Sequence, residues 1–132
     1  MRYASKTPEL SIVVPLYNEE LNIDYLFERL ELVLKELRTS YEIVCVNDGS
    51  KDNTLKYLIA HHYRNPAIKV VNLSRNFGKE IALTAGIDHA VGAAVIPIDA
   101  DLQDPPELIG ELIDKWREGY DVVYATRRSR QG

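Results

Sequence analysis

The chain has 132 residues, 45% of them hydrophobic and 27% charged, with a formal net charge of -4. That length fits one domain able to bury a core without staples, and the apolar fraction excludes a disordered chain. A single cysteine excludes a disulfide framework, no apolar run approaches the roughly 18 residues of a membrane span, and a mildly acidic chain is a poor general binder of nucleic acid.

Taken in chain order, short apolar runs alternate with amphipathic stretches. Residues 1–8 read as a flexible tail without the apolar segment of a signal peptide, which makes a cytoplasmic setting the default. Leu10 to Pro15 is a buried strand stopped by proline. Ile23, Leu26, Phe27, Leu30, Val33, Leu34 and Leu37 recur at helical spacing, with Asn18 as the expected N-cap and Glu19 and Glu20 at the positive end. Glu42 to Val46 is a second strand, and Asp52 or Asn53 caps a short helix through Leu55, Leu58 and Ile59. Ile68 to Leu73 is a third strand, followed by a helix from about Lys79 to His89.

Ala94 to Ile98 is a fourth strand, whose Pro97 predicts an edge position or an irregular end. Pro105-Pro106 opens a helix presenting Leu108, Ile109, Leu112, Ile113 and Trp116, Gly119 ends it, and Asp121 to Ala125 is a fifth strand. Such alternation predicts a single α/β domain with a mostly parallel sheet covered on both faces. Right-handed crossovers then bring the strand-to-helix loops to one edge, where such sheets bind ligands.

Four polar loops gather there: Pro15 to Glu20, Asn47 to Asp52, Ser74 to Lys79, and Asp99 to Asp104. The opposite edge shows no comparable set. Asp99 and Asp101, two apart at a strand end, point the same way if the chain is still extended. A Mg²⁺ or Mn²⁺ ion shared with substrate phosphates would relieve their repulsion, and Gln103 and Asp104 could add oxygens. The plainer reading of this segment is helix capping by Asp104. Asp48 reads either as a turn residue or as an acceptor for a base or ribose, and Tyr17 as packing or as a stacking platform. Arg75 and Lys79 either meet phosphate or pair with nearby acids. No glycine-rich dinucleotide fingerprint, Walker-type loop, serine-nucleophile elbow or zinc spacing is present. Cys45 reads as a buried inert thiol, and His61, His62 and His89 as residues suiting helix C-termini.

Four segments together resemble a known family: Val13-Val14-Pro15-Leu16-Tyr17-Asn18-Glu19-Glu20, Val46-Asn47-Asp48-Gly49-Ser50-Lys51-Asp52-Asn53-Thr54, Leu73-Ser74-Arg75-Asn76-Phe77-Gly78-Lys79, and Asp99-Ala100-Asp101-Leu102-Gln103-Asp104-Pro105-Pro106-Glu107. They look like family 2 glycosyltransferases of the GT-A fold. Within these they are similar to the polyprenyl-phosphate sugar transferases, namely dolichol-phosphate mannose synthases, bactoprenol glucosyltransferases and aminoarabinose transferases. The resemblance covers nearly all of residues 9–128.

It implies a Rossmann-like three-layer α/β/α fold and an inverting transfer from a UDP- or GDP-linked sugar to an undecaprenyl or dolichyl phosphate. It implies that Pro15, Tyr17, Glu19 and Asp48 hold the nucleoside, and that Asp99 and Asp101 hold Mg²⁺ or Mn²⁺ with Gln103 as a further ligand. Arg75, Lys79 and Asp99 complete the nucleotide site, Asp101, Arg127 and Arg128 serve catalysis, and the two arginines face phosphates. Asp104 is the one carboxylate to name as a base, needed only for a hydroxyl acceptor. Full-length members continue further, so the chain reads as truncated in an acceptor-side loop at 127–132, its parent lying at the cytoplasmic face of a membrane through parts beyond this chain.

Three readings compete with a transferase. A non-catalytic nucleotide-binding module, or an inactive fragment, would bind UDP or GDP without turnover. A phosphoacceptor receiver domain is disfavoured because the third strand leads to Ser74-Arg75-Asn76 and the fifth to Thr126-Arg127. A sugar nucleotidyltransferase would carry a glycine-rich loop where Pro15-Leu16-Tyr17-Asn18 stands.

Overall fold

The structure is a computed structural model that describes residues 7–101, 105 and 107–119. Its elements run β1 (Leu10–Leu16), α1 (Ile23–Leu37), β2 (Tyr41–Asn47), α2 (Thr54–Arg64), β3 (Ile68–Asn72), α3 (Lys79–His89), β4 (Ala94–Pro97) and α4 (Leu108–Arg117). The four strands form one parallel sheet in the order β3-β2-β1-β4. β4 lies at an edge of it, as Pro97 predicted, while Pro15 does not stop β1, which runs on to Leu16 paired with β2.

Alternation along the strands sorts their side chains between two helical layers. Leu10, Ile12, Val14 and Leu16 of β1 share a buried cluster with Leu26, Phe27, Leu30 and Leu34 of α1, Leu58 of α2, and Ile109 and Ile113 of α4. Val13 and Val46 face the other way, beneath α3. Gly86 lets that helix lie close, since a Cβ there would come within 2.4 Å of Val13 Cγ1 and 2.9 Å of Val46 Cγ2. The result is the expected three-layer α/β/α arrangement.

β1, α1, β2, α2 and β3 wind in one direction, and α3 then carries the chain back across the sheet to β4 on the far side of β1. The strand order therefore reverses between β1 and β4, which opens a crevice at their carboxyl ends.

Several local expectations need correction. Asn18 does not cap α1. The helix starts at Ile23 after Asn22, and Asn18 lies in the left-handed region with φ 54. α4 begins at Leu108 after Glu107, beyond Pro105. The tail expected over 1–8 ends sooner, because the carbonyl of Pro8 accepts the amide of Ala93 at 3.3 Å. Residues 1–6, the predicted fifth strand 121–125, the loop 127–132, and Gln103, Asp104, Pro106, Arg127 and Arg128 lie outside the described residues.

Candidate functional site

A cavity of about 450 Å³ opens at the reversal point. All four strand-to-helix loops contribute to its lining: Pro15, Tyr17 and Glu19 from the first, Asp48 from the second, Gly78 and Lys79 at the start of α3, and Asp99 and Asp101 after β4. Tyr17 is 42% exposed, so its ring offers a face to a ligand. β4 ends at Pro97 and a turn covers Ala100 and Asp101, so the condition of an extended chain through Asp101 is not met, yet Asp99 and Asp101 line the same cavity.

The polar residues of the first two loops are largely engaged with each other. The Asn18 amide donates to Ser50 Oγ at 2.9 Å, and Asn18 Oδ1 accepts the Lys51 amide at 2.8 Å. The Glu19 amide donates to Thr54 Oγ1 at 2.8 Å, and the Glu20 amide to Asp52 Oδ2 at 3.2 Å. Glu20 Oε1 in turn accepts the Asn53 amide at 2.7 Å. Asp52 also accepts the amide and hydroxyl of Thr54, and its carboxyl lies below the ordinary range: burial pushes the value up, but these hydrogen bonds outweigh it.

Asp48 fastens the second loop to the third. It is 3% exposed, and its carboxylate accepts the Phe77 amide at 2.8 Å, the Gly78 amide at 3.1 Å and Asn76 Nδ2 at 3.2 Å. Gly49 beside it has φ 70, and a Cβ there would meet Asn76 N at 2.2 Å. Only glycine combines that backbone with so close an approach. The third loop reaches the fourth through Lys79, whose ammonium pairs with Asp99 Oδ1.

Arg75, expected at the nucleotide, is not in the cavity lining. Its guanidinium lies 4.0 Å from the centroid of the Phe77 ring, and Nη1 donates to the Asn76 carbonyl at 3.3 Å. Leu16, Asn76 and Ala100 line the cavity although sequence reasoning did not single them out. The ladder register, with Asn47 opposite Leu16, is what sets Asp48 beside the cavity.

The opposite end of the sheet does hold a polar cluster, contrary to expectation. Buried Glu42 accepts Ser11 Oγ at 2.6 Å, the Val91 amide at 2.7 Å and Lys69 Nζ at 3.2 Å. Burial pushes its pKa up, but these donors together hold it below the ordinary carboxylate value. The cluster pins the turn between α3 and β4. An isolated glutamate in a strand gives no sequence signal of this. The histidines are structural, as expected: His61 Nε2 meets Asp24 Oδ1 at 2.8 Å, while His62 and His89 contact backbone carbonyls. Cys45 is fully buried, which raises its thiol pKa.

In fold the chain stands with the GT-A glycosyltransferases. A mannosyltransferase from Pyrobaculum calidifontis, solved with GDP-Man and Mn²⁺, superposes with a TM-score of 0.62 at 25% identity, over 76% of this chain and 34% of that one. Staphylococcus aureus TarS with UDP-GlcNAc gives 0.60 at 29% identity, over 81% of this chain and 31% of that one. The family model described as glycosyl transferase family 2 matches residues 11–132, and the chain belongs to that family. An uncharacterised glycosyltransferase of Synechocystis sp. is 74% identical over 96% of this chain, and the bactoprenol glucosyl transferase of Shigella phage SfV is 47% identical over 92%. The chain spans 40% of the length of each of these two relatives.

Proposed function

We propose that the chain is the donor-binding portion of a glycosyltransferase that moves a sugar, with inversion, from a UDP- or GDP-linked donor to a polyprenyl phosphate. The observation that carries this reading is the cavity at the reversal point, which collects the Tyr17 ring, Lys79 and the carboxylates of Asp99 and Asp101. The 47% identity to a bactoprenol glucosyl transferase supports the lipid-phosphate acceptor, and the GDP-Man and Mn²⁺ bound by the Pyrobaculum neighbour support the donor class and a divalent metal.

In this reading Tyr17 stacks on the base, while Pro15 and Glu19 border the nucleoside. Asp48 holds the Phe77–Gly78 backbone at the cavity wall and turns any remaining acceptor capacity toward the ribose or base. Lys79 meets the diphosphate, and Arg127 and Arg128 supply further charge to phosphates.

The donor set fits a hard cation. Two carboxylates at one cavity leave coordination positions for diphosphate oxygens and water, and the described residues hold no group of three or more His, Cys, Asp or Glu that would form an all-protein cage. Asp99 and Asp101 would hold Mg²⁺ or Mn²⁺, with Gln103 as a third ligand. When bound, the metal neutralises charge developing on the nucleoside diphosphate as it leaves. A phosphate acceptor is already anionic near neutral pH, so orientation by arginines matters more than a strong base. No helix among the described residues is long and apolar enough to cross a membrane.

Titration calorimetry with UDP- and GDP-sugars, with and without Mn²⁺, tests the reading. Metal-dependent binding that Asp101→Ala abolishes is expected. Equal binding by Asp101→Ala, or no nucleotide binding by the folded chain, would refute the metal site. Binding without sugar transfer to a polyprenyl phosphate by the full-length protein would favour a non-catalytic binding module.

A further inference from the structure

Lys79 is the first residue of α3, and both peptide groups of the residue before it are held. The Gly78 amide is held by Asp48 at 3.1 Å, and the Gly78 carbonyl accepts the Ala82 amide at 3.0 Å. The side chain is not fixed in the same way. It is 58% exposed and ends in a compact charge on a flexible four-carbon stem, whereas the Asp99 side chain that it meets is only 14% exposed. The partner is one of the two carboxylates assigned above to a divalent cation.

An ammonium and a divalent cation cannot share Asp99 Oδ1 without mutual repulsion. While no divalent cation is bound, the ammonium offsets the repulsion between Asp99 and Asp101, which border the same cavity. A nucleoside diphosphate brings into that cavity anionic oxygens on which the ammonium finds a new partner.

We propose that Lys79 is the built-in counter-ion of the metal site: it occupies Asp99 in the ligand-free protein and passes to the diphosphate when a divalent cation takes its place. This rests on the metal-assisted reading above and adds a coupling to it. Metal frees the lysine for the nucleotide, and the nucleotide draws the lysine off the metal ligand. The two ligands therefore raise each other's affinity by equal factors. No bond is made or broken in the exchange beyond these ionic contacts.

The test measures MnCl₂ binding by calorimetry, alone and in the presence of saturating UDP or GDP, on the wild-type chain, Lys79→Met and Lys51→Met. Lys51 sits in the neighbouring loop outside the cavity lining, so its variant reports a general loss of positive charge. Lys79→Met is expected to bind Mn²⁺ alone about three- to fivefold more tightly, the size set by a half-exposed ion pair. The enhancement of Mn²⁺ binding by nucleotide should fall by the same factor, and Lys51→Met should match the wild type.

Unchanged or weaker Mn²⁺ binding in Lys79→Met overturns the exchange and leaves the metal-assisted reading in place. Equal tightening in Lys51→Met also overturns it, as a general charge effect. Absence of Mn²⁺ binding in every protein, with and without nucleotide, overturns both readings.

Discussion

Replacing Asp48 by alanine tests whether the cavity wall depends on that carboxylate. The side chain is buried and takes three donors, two of them backbone amides that secondary structure does not otherwise satisfy at the entry to α3. Phe77 and Gly78 are half-buried, so water can replace part of what is lost. Each orphaned amide then costs about 1 kcal/mol, the low end for an unsatisfied group, and the Asn76 side chain adds about 0.5 kcal/mol. Asp48→Ala should therefore destabilise the chain by about 2.5 kcal/mol and lower the urea midpoint by about 1–2 M. Asn76→Ala removes only the side-chain donor and should cost under about 1 kcal/mol. Urea unfolding followed by circular dichroism measures both, with UDP binding measured on the same samples. If Asp48→Ala loses UDP binding while its stability falls by less than about 0.5 kcal/mol, the carboxylate acts on the nucleotide and does not hold the loop, and the argument from its hydrogen bonds is wrong.

Two further outcomes are expected. Gly86→Ala drives a methyl into Val13 and Val46 and should cost about 1–3 kcal/mol, with part of the loss recovered in the Gly86→Ala/Val13→Ala pair; additive losses in a double-mutant cycle would refute the contact. Glu42→Gln should destabilise by about 2 kcal/mol at neutral pH. Because the folded-state pKa of Glu42 is depressed, its contribution is complete above about pH 4.5 and is lost as pH falls through the lower folded value, so the gap between wild type and variant should close in acid. A gap that stays constant from neutral pH down to acid would show that the charge of Glu42 is not what its donors stabilise.

The sheet was legible because its signals are periodic. Continuous apolar strands and the stripe from Ile23 to Leu37 name their own elements, whereas the place of β4 beside β1 has no local signal. The cavity was legible as a set of loops, because strand ends fix where loops emerge. What each polar side chain does there was not legible. Asn18 reads as a cap from its place before a helix, but its partner Lys51 is 33 residues away. Arg75 and Lys79 look equivalent in sequence, yet one stacks on Phe77 and the other reaches Asp99. Glu42 looks like an ordinary strand residue until the fold brings Ser11 and Val91 to it. Each of these depends on non-local contacts that no local pattern encodes.

The interlocked loops set a rule for recombination. Asn18, Glu19 and Glu20 bond to the segment from Ser50 to Thr54, and neither stretch keeps its partners if it is moved alone. A chimera that imports the first loop from a relative must import the second with it. By the same reasoning, a change at Asp48 calls for the third loop as well. The unit of exchange in this chain is the assembled rim, so substitutions that work singly in an exposed loop will here need to travel in matched sets.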